Sequence, residues 1–217
     1  MSAKPQLRPD SLLLLSLLLV ILLNPTLDHG YWRRLLLGAL MFIPVILATV
    51  RLSQIRMRMW PVVLLMLGVI VFTVASDTSG NRVLHGIRWG FLAAFFALTA
   101  ARLFSHLQNS SSVSRTHLYI AVSIYLLLGI TWAALYGVME ALQPGSFQLG
   151  GRQTDRQSDL LYFSLVTLST IGYGDIVPLT GEARMLAALE GVTGVLYVAI
   201  TVAILVSAYR RESSNSA

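Results

Sequence analysis

Uncharged, apolar runs recur along this chain at lengths that fit membrane crossings. Ser11–Leu27, Leu35–Val50, Trp60–Ser76 and Leu118–Met139 contain no Asp, Glu, Lys or Arg. Trp89–Ala101 is shorter and lies between Arg88 and Arg102, and Gly191–Tyr209 extends backward through Met185–Leu189. A helix takes about 20 apolar residues to cross a bilayer, and flanking aromatics and arginines anchor shorter runs at the interface. The pattern predicts six crossings, the fourth being the poorest. A seventh segment, Ser158–Ser169, turns largely apolar for about 12 residues, too few to span. It reads as a helix that enters the membrane partway and returns, and a non-helical return at that depth must line a water-filled path. Between it and the fifth run, Gln143–Arg152 is polar and glycine-rich, and reads as a loop.

Composition agrees. Only 12% of the 217 residues are charged and 55% are hydrophobic, with a mean hydropathy of +0.70. A soluble domain carries about 25% charged residues, so a soluble enzyme is excluded. Cysteine is absent, which removes disulfides and thiol chemistry, and His29, His85, His106 and His117 form no metal-ligand spacing. The net charge of +6 belongs to loops facing the cytoplasm rather than to nucleic-acid binding. With a cytoplasmic N-terminus, nine Lys and Arg side chains lie inside against seven outside. Lys4 and Arg8 before Leu12–Leu23 imitate a signal peptide, but Asn24-Pro25-Thr26-Leu27 offers no small-residue cleavage site, so a retained helix is expected.

The returning segment carries the chemistry. It reads Thr167-Leu-Ser-Thr170-Ile171-Gly172-Tyr173-Gly174-Asp175, followed by Pro178. This resembles the selectivity filter of the potassium channel superfamily, T-x-x-T-x-G-Y-G-D at the end of a short pore helix. A dehydrated cation needs stacked rings of carbonyl oxygen. Successive carbonyls share one side only if the backbone alternates between left- and right-handed conformations, which Gly172 and Gly174 permit. The resemblance implies that the carbonyls of Thr170, Ile171, Gly172 and Tyr173, with the Thr170 hydroxyl, hold potassium, and that Tyr173 and Asp175 brace the filter from behind. The pore helix would direct its negative end at the ion path. One filter segment per chain implies a homotetramer in the lipid bilayer.

Two positions depart from the family pattern. Where many relatives carry tryptophans on the pore helix, this chain has Tyr162 and Phe163, and Phe163 donates no hydrogen bond. Where some carry a glutamate it has Val166, so fewer braces are expected behind Thr167 and the filter. In the sixth run, Gly194 falls at the family's hinge position, three residues after Gly191. Hinge and close helix packing both remain open for these glycines. Glu190, an acidic group within a crossing, is either a pore-modulating group sensitive to protonation or a carboxylate hydrogen-bonded behind the filter.

Six crossings with the pore between the last two is the layout of voltage-gated members. Their fourth helix repeats arginine at every third position; here Arg82, His85 and Arg88 keep that spacing and then Phe91, Ala94, Ala97 and Ala100 follow. Only Asp28 and Asp77 are available as counter-charges, both near the outer ends. Voltage dependence is expected to be weak or absent. The fold class expected is an all-α membrane protein, with residues 1–108 as a four-helix sensor-like domain, 109–117 as a linker and 118–209 as the pore domain. Residues 210–217 are expected as a short cytoplasmic tail, disordered over Ser213–Ala217, with no ligand-binding domain attached. The function implied is passive, potassium-selective conduction in a cell membrane, of bacterial inner-membrane type with both termini cytoplasmic, without enzyme activity or cofactor. Alternatives are a voltage-gated channel with a reduced sensor, an ion-coupled transporter and a non-conducting channel subunit. The gating stimulus, including any separate regulatory partner, is left open.

Overall fold

The computed structural model describes residues 9–24, 60–108, 115–153 and 157–215. The second apolar run, Leu35–Val50, lies outside them, as does Asp28. Six α-helices are described: α1 (Pro9–Leu23), α2 (Trp60–Ser79), α3 (Arg82–Gln108), α4 (Arg115–Leu142), α5 (Gln157–Leu168) and α6 (Gly181–Asn215). Among the described residues three helical stretches are long and apolar enough to cross a membrane: Arg82–Gln108, Thr116–Leu142 and Gly181–Ser207. Ser11–Leu23 and Trp60–Ser76 are shorter apolar helices. The weak fourth run therefore sits within one of the longest helices, with Arg88 and Arg102 inside it.

Local chemistry sets the helix ends. Pro9 opens α1, where a missing N–H costs nothing. Gly80 stops α2 at φ 61°, donating to the Ser76 carbonyl at 3.0 Å, and the Asn81 side chain caps α3 by accepting from the Val83 N–H at 2.9 Å. This tight turn folds α3 back along α2, where Gly68 faces the ring of Phe91 and Phe72 stacks on Phe91 with centroids 5.1 Å apart. Gly137 on α4 likewise leaves room for the indole of Trp89 on α3. The main core joins Leu13, Leu17 and Val20 of α1 to Phe95, Phe96, Leu103 and Leu107 of α3 and Ile120, Ile124, Leu127 and Ile130 of α4. Their spacing by three or four residues puts each set on one helix face.

Two features correct the sequence reading. The fold is mostly helical rather than all-α, because the glycine-rich stretch is not a plain loop. Phe147–Leu149 (β1) pairs antiparallel with Arg152–Gln153 (β2) across Gly150 and Gly151, whose φ values of 53° and 87° fit a two-residue hairpin turn. The other edge of β1 pairs antiparallel with Ile176–Pro178 (β3), with Phe147 opposite Pro178 and Leu149 opposite Ile176. Phe147 and Ile176 point inward into a second core with Tyr136, Leu160, Phe163 and Ala183, and that burial fixes the register. Second, Ser213 to Asn215 continue α6 instead of forming a disordered tail, because the preceding residues offer no helix breaker. Of the first apolar run, residues 25–27 lie outside the described residues.

Candidate functional site

The short helix α5, about 18 Å long, ends at Leu168, and the backbone after it takes an unusual course. Thr170, Gly172 and Gly174 have φ of 58°, 62° and 77°, while Ile171 and Tyr173 between them do not share the left-handed region. Every second residue is thus left-handed, the alternation that turns successive carbonyls to one side. Thr170 through Asp175 are all exposed on the single chain.

Thr170 is the residue that sequence reasoning did not single out for backbone strain. The Thr170 N–H donates to the Thr167 carbonyl and the Ile171 N–H to the Val166 carbonyl, both at 3.0 Å. These two bonds form the helix-ending motif in which glycine ordinarily takes the left-handed position. A β-branched residue there costs about 1–2 kcal/mol, and such strain persists where the surroundings impose it, characteristically at functional sites. The helix stop and the first left-handed residue of the alternating segment are one and the same. No glycine marks it, so no sequence signal could have revealed it.

Behind the segment, Tyr162 donates its hydroxyl to Asp175 Oδ2 at 2.8 Å, and its ring lies parallel to that of Tyr173 with centroids 6.5 Å apart. The bond to the carboxylate holds the Tyr162 phenol above its ordinary pKa, favouring the protonated donor. Asp175 Oδ1 accepts from the Ile176 N–H at 3.1 Å, and its main-chain carbonyl accepts from Gly150 at 3.2 Å, which ties the segment to the hairpin turn. Phe163, one residue on, makes no polar contact but packs its ring 5.1 Å from Tyr136 and 5.5 Å from Phe147. Val166 is buried, and Thr167 contributes its carbonyl to the helix stop.

Glu190 of α6 is fully buried. Its Oε1 accepts from Ser164 Oγ at 2.5 Å and its Oε2 from the Tyr136 hydroxyl, so α6 sets a carboxyl group against α5 and α4. Gly194, one turn further, lies so close to the Leu168 carbonyl that a Cβ would overlap it, whereas a Cβ at Gly191 would meet nothing within 4 Å. Ser164, Tyr136 and Tyr125, which donates to the Leu168 carbonyl at 3.1 Å, are neighbours of the candidate site that the sequence did not disclose. Glu140 was missed too: its carboxylate accepts from the Gly145 and Ser146 N–H groups at 2.5 and 3.0 Å and shapes the turn into β1.

Arg82, His85 and Arg88 stand apart from this site, at the start of α3. Arg88 Nη2 lies 3.2 Å from His85 Nε2, and its guanidinium sits 4.9 Å from the Trp89 ring centroid. Arg82, His85, Trp89 and Glu140 line a cleft of about 150 Å³ between α3 and α4.

Residues 120–211, which take in the helix–short helix–helix unit, match the family described as "Ion channel". Among individual relatives, the chain is similar to the two pore potassium channel a of Oryza sativa subsp. japonica, 39% identical over 79 residues, which is 36% of this chain and 20% of that protein. It is 29% identical over 100 residues to an inward rectifier potassium channel of Paramagnetospirillum magnetotacticum, 46% of this chain and 30% of the relative. It is 36% identical over 61 residues to the human potassium voltage-gated channel subfamily A member 4, 26% of this chain and 9% of the relative. The chain thus spans under a third of these curated proteins. No solved structure matches it.

Proposed function

We propose that this chain is one subunit of a potassium-selective channel. Four copies close a ring around Thr170–Gly174, and potassium passes down its gradient through stacked carbonyl oxygens of Thr170, Ile171, Gly172 and Tyr173. The observation that carries this reading is the left-handed backbone at positions 170, 172 and 174 on an exposed segment. The likeness to proteins named potassium channels supports it. So does α6, which leaves Met185, Leu189, Val192, Val195, Val198 and Val202 about half exposed. These side chains spread around the helix, so they call for other copies on one side and lipid on the other. Residues 118–209 form the pore domain in this reading, and 1–108 form a four-helix unit that brings the crossings to six in a cell membrane.

Reconstitution of the purified chain into planar bilayers tests the proposal. Single-channel steps whose reversal potential follows the potassium gradient are expected; a reversal potential that tracks sodium equally overturns it. Voltage steps in the same bilayers are expected to give a shallow conductance–voltage relation, since each charge crossing the field is worth ~2.3 kcal/mol per 100 mV and α3 follows Arg88 with Phe91, Ala94, Ala97 and Ala100. An effective gating charge of several units per channel would refute that.

A further inference from the structure

Two turns of α5 meet two turns of α6. Ser164 faces Glu190 through a hydrogen bond, and Leu168 faces Gly194 through backbone contact. Each pair of positions is four apart, hence on one helix face, so the helices are registered at successive levels. At both levels α4 adds a tyrosine hydroxyl: Tyr136 to Glu190, and Tyr125 to the Leu168 carbonyl. The strained Thr170 lies two residues beyond Leu168, which makes this joint the base on which the ion-facing segment stands.

We infer that Glu190 is a positioning residue that sets the depth and rotation of α5, and through it the carbonyl spacing that separates potassium from sodium; this rests on the channel reading. Packing alone gives no reason for a carboxyl group at this place, since apolar residues replace buried polar networks at little cost in stability. Directional bonds give what apolar contact lacks, a fixed register between three helices. Hydrogen counting shows that an uncharged amide at position 190 can serve the same partners. Ser164 has a single hydroxyl proton, yet its Oγ lies 2.7 Å from the Gly129 carbonyl as well as 2.5 Å from Glu190. An amide at 190 satisfies every partner: its oxygen accepts from Tyr136, its NH₂ donates to Ser164, and Ser164 gives its proton to Gly129.

The test compares potassium-over-sodium permeability ratios, in bilayers, of the wild type with Glu190→Ala, Glu190→Gln, Tyr136→Phe and the double variant Ser164→Ala/Glu190→Ala. Losing the buried partner is expected to lower the ratio by roughly tenfold in Glu190→Ala. Glu190→Gln is expected to recover most of it, and the double variant to fall no further than Glu190→Ala, as members of one network do. A Glu190→Ala channel with the wild-type ratio, or a Gln variant as impaired as Ala, overturns the assignment. If Glu190→Ala does not assemble, Tyr136→Phe decides, because it keeps the ring and removes only the hydroxyl: a lowered ratio supports the joint and an unchanged one sinks it. A wild type that does not distinguish potassium from sodium defeats the channel reading and the joint with it; a selective wild type beside an equally selective Glu190→Ala defeats the joint alone.

Discussion

Gly174→Ala is expected to abolish potassium selectivity while leaving the chain able to fold. Gly174 sits at φ 77°, and a Cβ there would meet nothing within 4 Å in the single chain. The penalty is therefore one of backbone conformation and not of a local clash. It amounts to about 1–2 kcal/mol per chain, and in the proposed ring of four copies it is met four times. The variant relieves the strain by leaving the left-handed region, and the carbonyls then no longer share one side. Bilayer recordings should show loss of potassium current, or conduction of sodium and potassium alike. Gly90→Ala on α3 is the comparison, since its Cβ also meets nothing within 4 Å but its backbone is ordinary helix. There alanine favours the helix by about 1 kcal/mol, and conduction should persist. Selective potassium current through Gly174→Ala would contradict the assignment of this segment to the ion path.

Gly194→Ala is expected to lower the thermal midpoint of the detergent-solubilised protein and to reduce the number of conducting channels. The added methyl overlaps the Leu168 carbonyl, which is backbone and cannot rotate away as a flexible side chain could. Overpacking of this kind costs ~1–3 kcal/mol, and the displacement falls on the end of α5. Gly191→Ala separates this from a hinge. Its Cβ enters open space, so it stiffens α6 without a collision and should melt no lower than the wild type. If both variants melt like the wild type and alter open probability alike, the glycines act as a hinge instead.

How far the chain could be read from its sequence depends on what each feature rests on. Apolar runs and a short apolar segment located α4, α5 and α6 because burial in lipid requires unbroken apolarity. The Gly172 and Gly174 positions were legible because their backbone demands a residue without a Cβ. Thr170 was not, since its strain is imposed by the helix stop at Thr167 and Val166 and by nothing in its own side chain. The same holds for the joint at Glu190. A lone acid in an apolar run signals importance, but its partners Ser164 and Tyr136 lie 26 and 54 positions away in the chain. No periodicity connects them; only the packing of α4 against α5 and α6 does. The expectation of few braces rests on the residues of α5 alone; that helix also takes hydroxyl and carboxyl contacts from α4 and α6, at Ser164 and Leu168. The small sheet was missed because Phe147–Leu149 is too short to display alternation.

That sheet bears on how separate copies come together. By pairing Leu149 with Ile176, it pinches residues 150–175 into a loop closed at its neck within a single chain. Drawing the ends of such a loop together costs about 3 kcal/mol of entropy, and each chain meets that cost before it encounters another. In the proposed ring of four, copies therefore arrive with the neck of this loop already closed, and association is the docking of closed loops rather than the threading of slack ones. Assembly of that ring should accordingly be limited by encounter in the membrane plane.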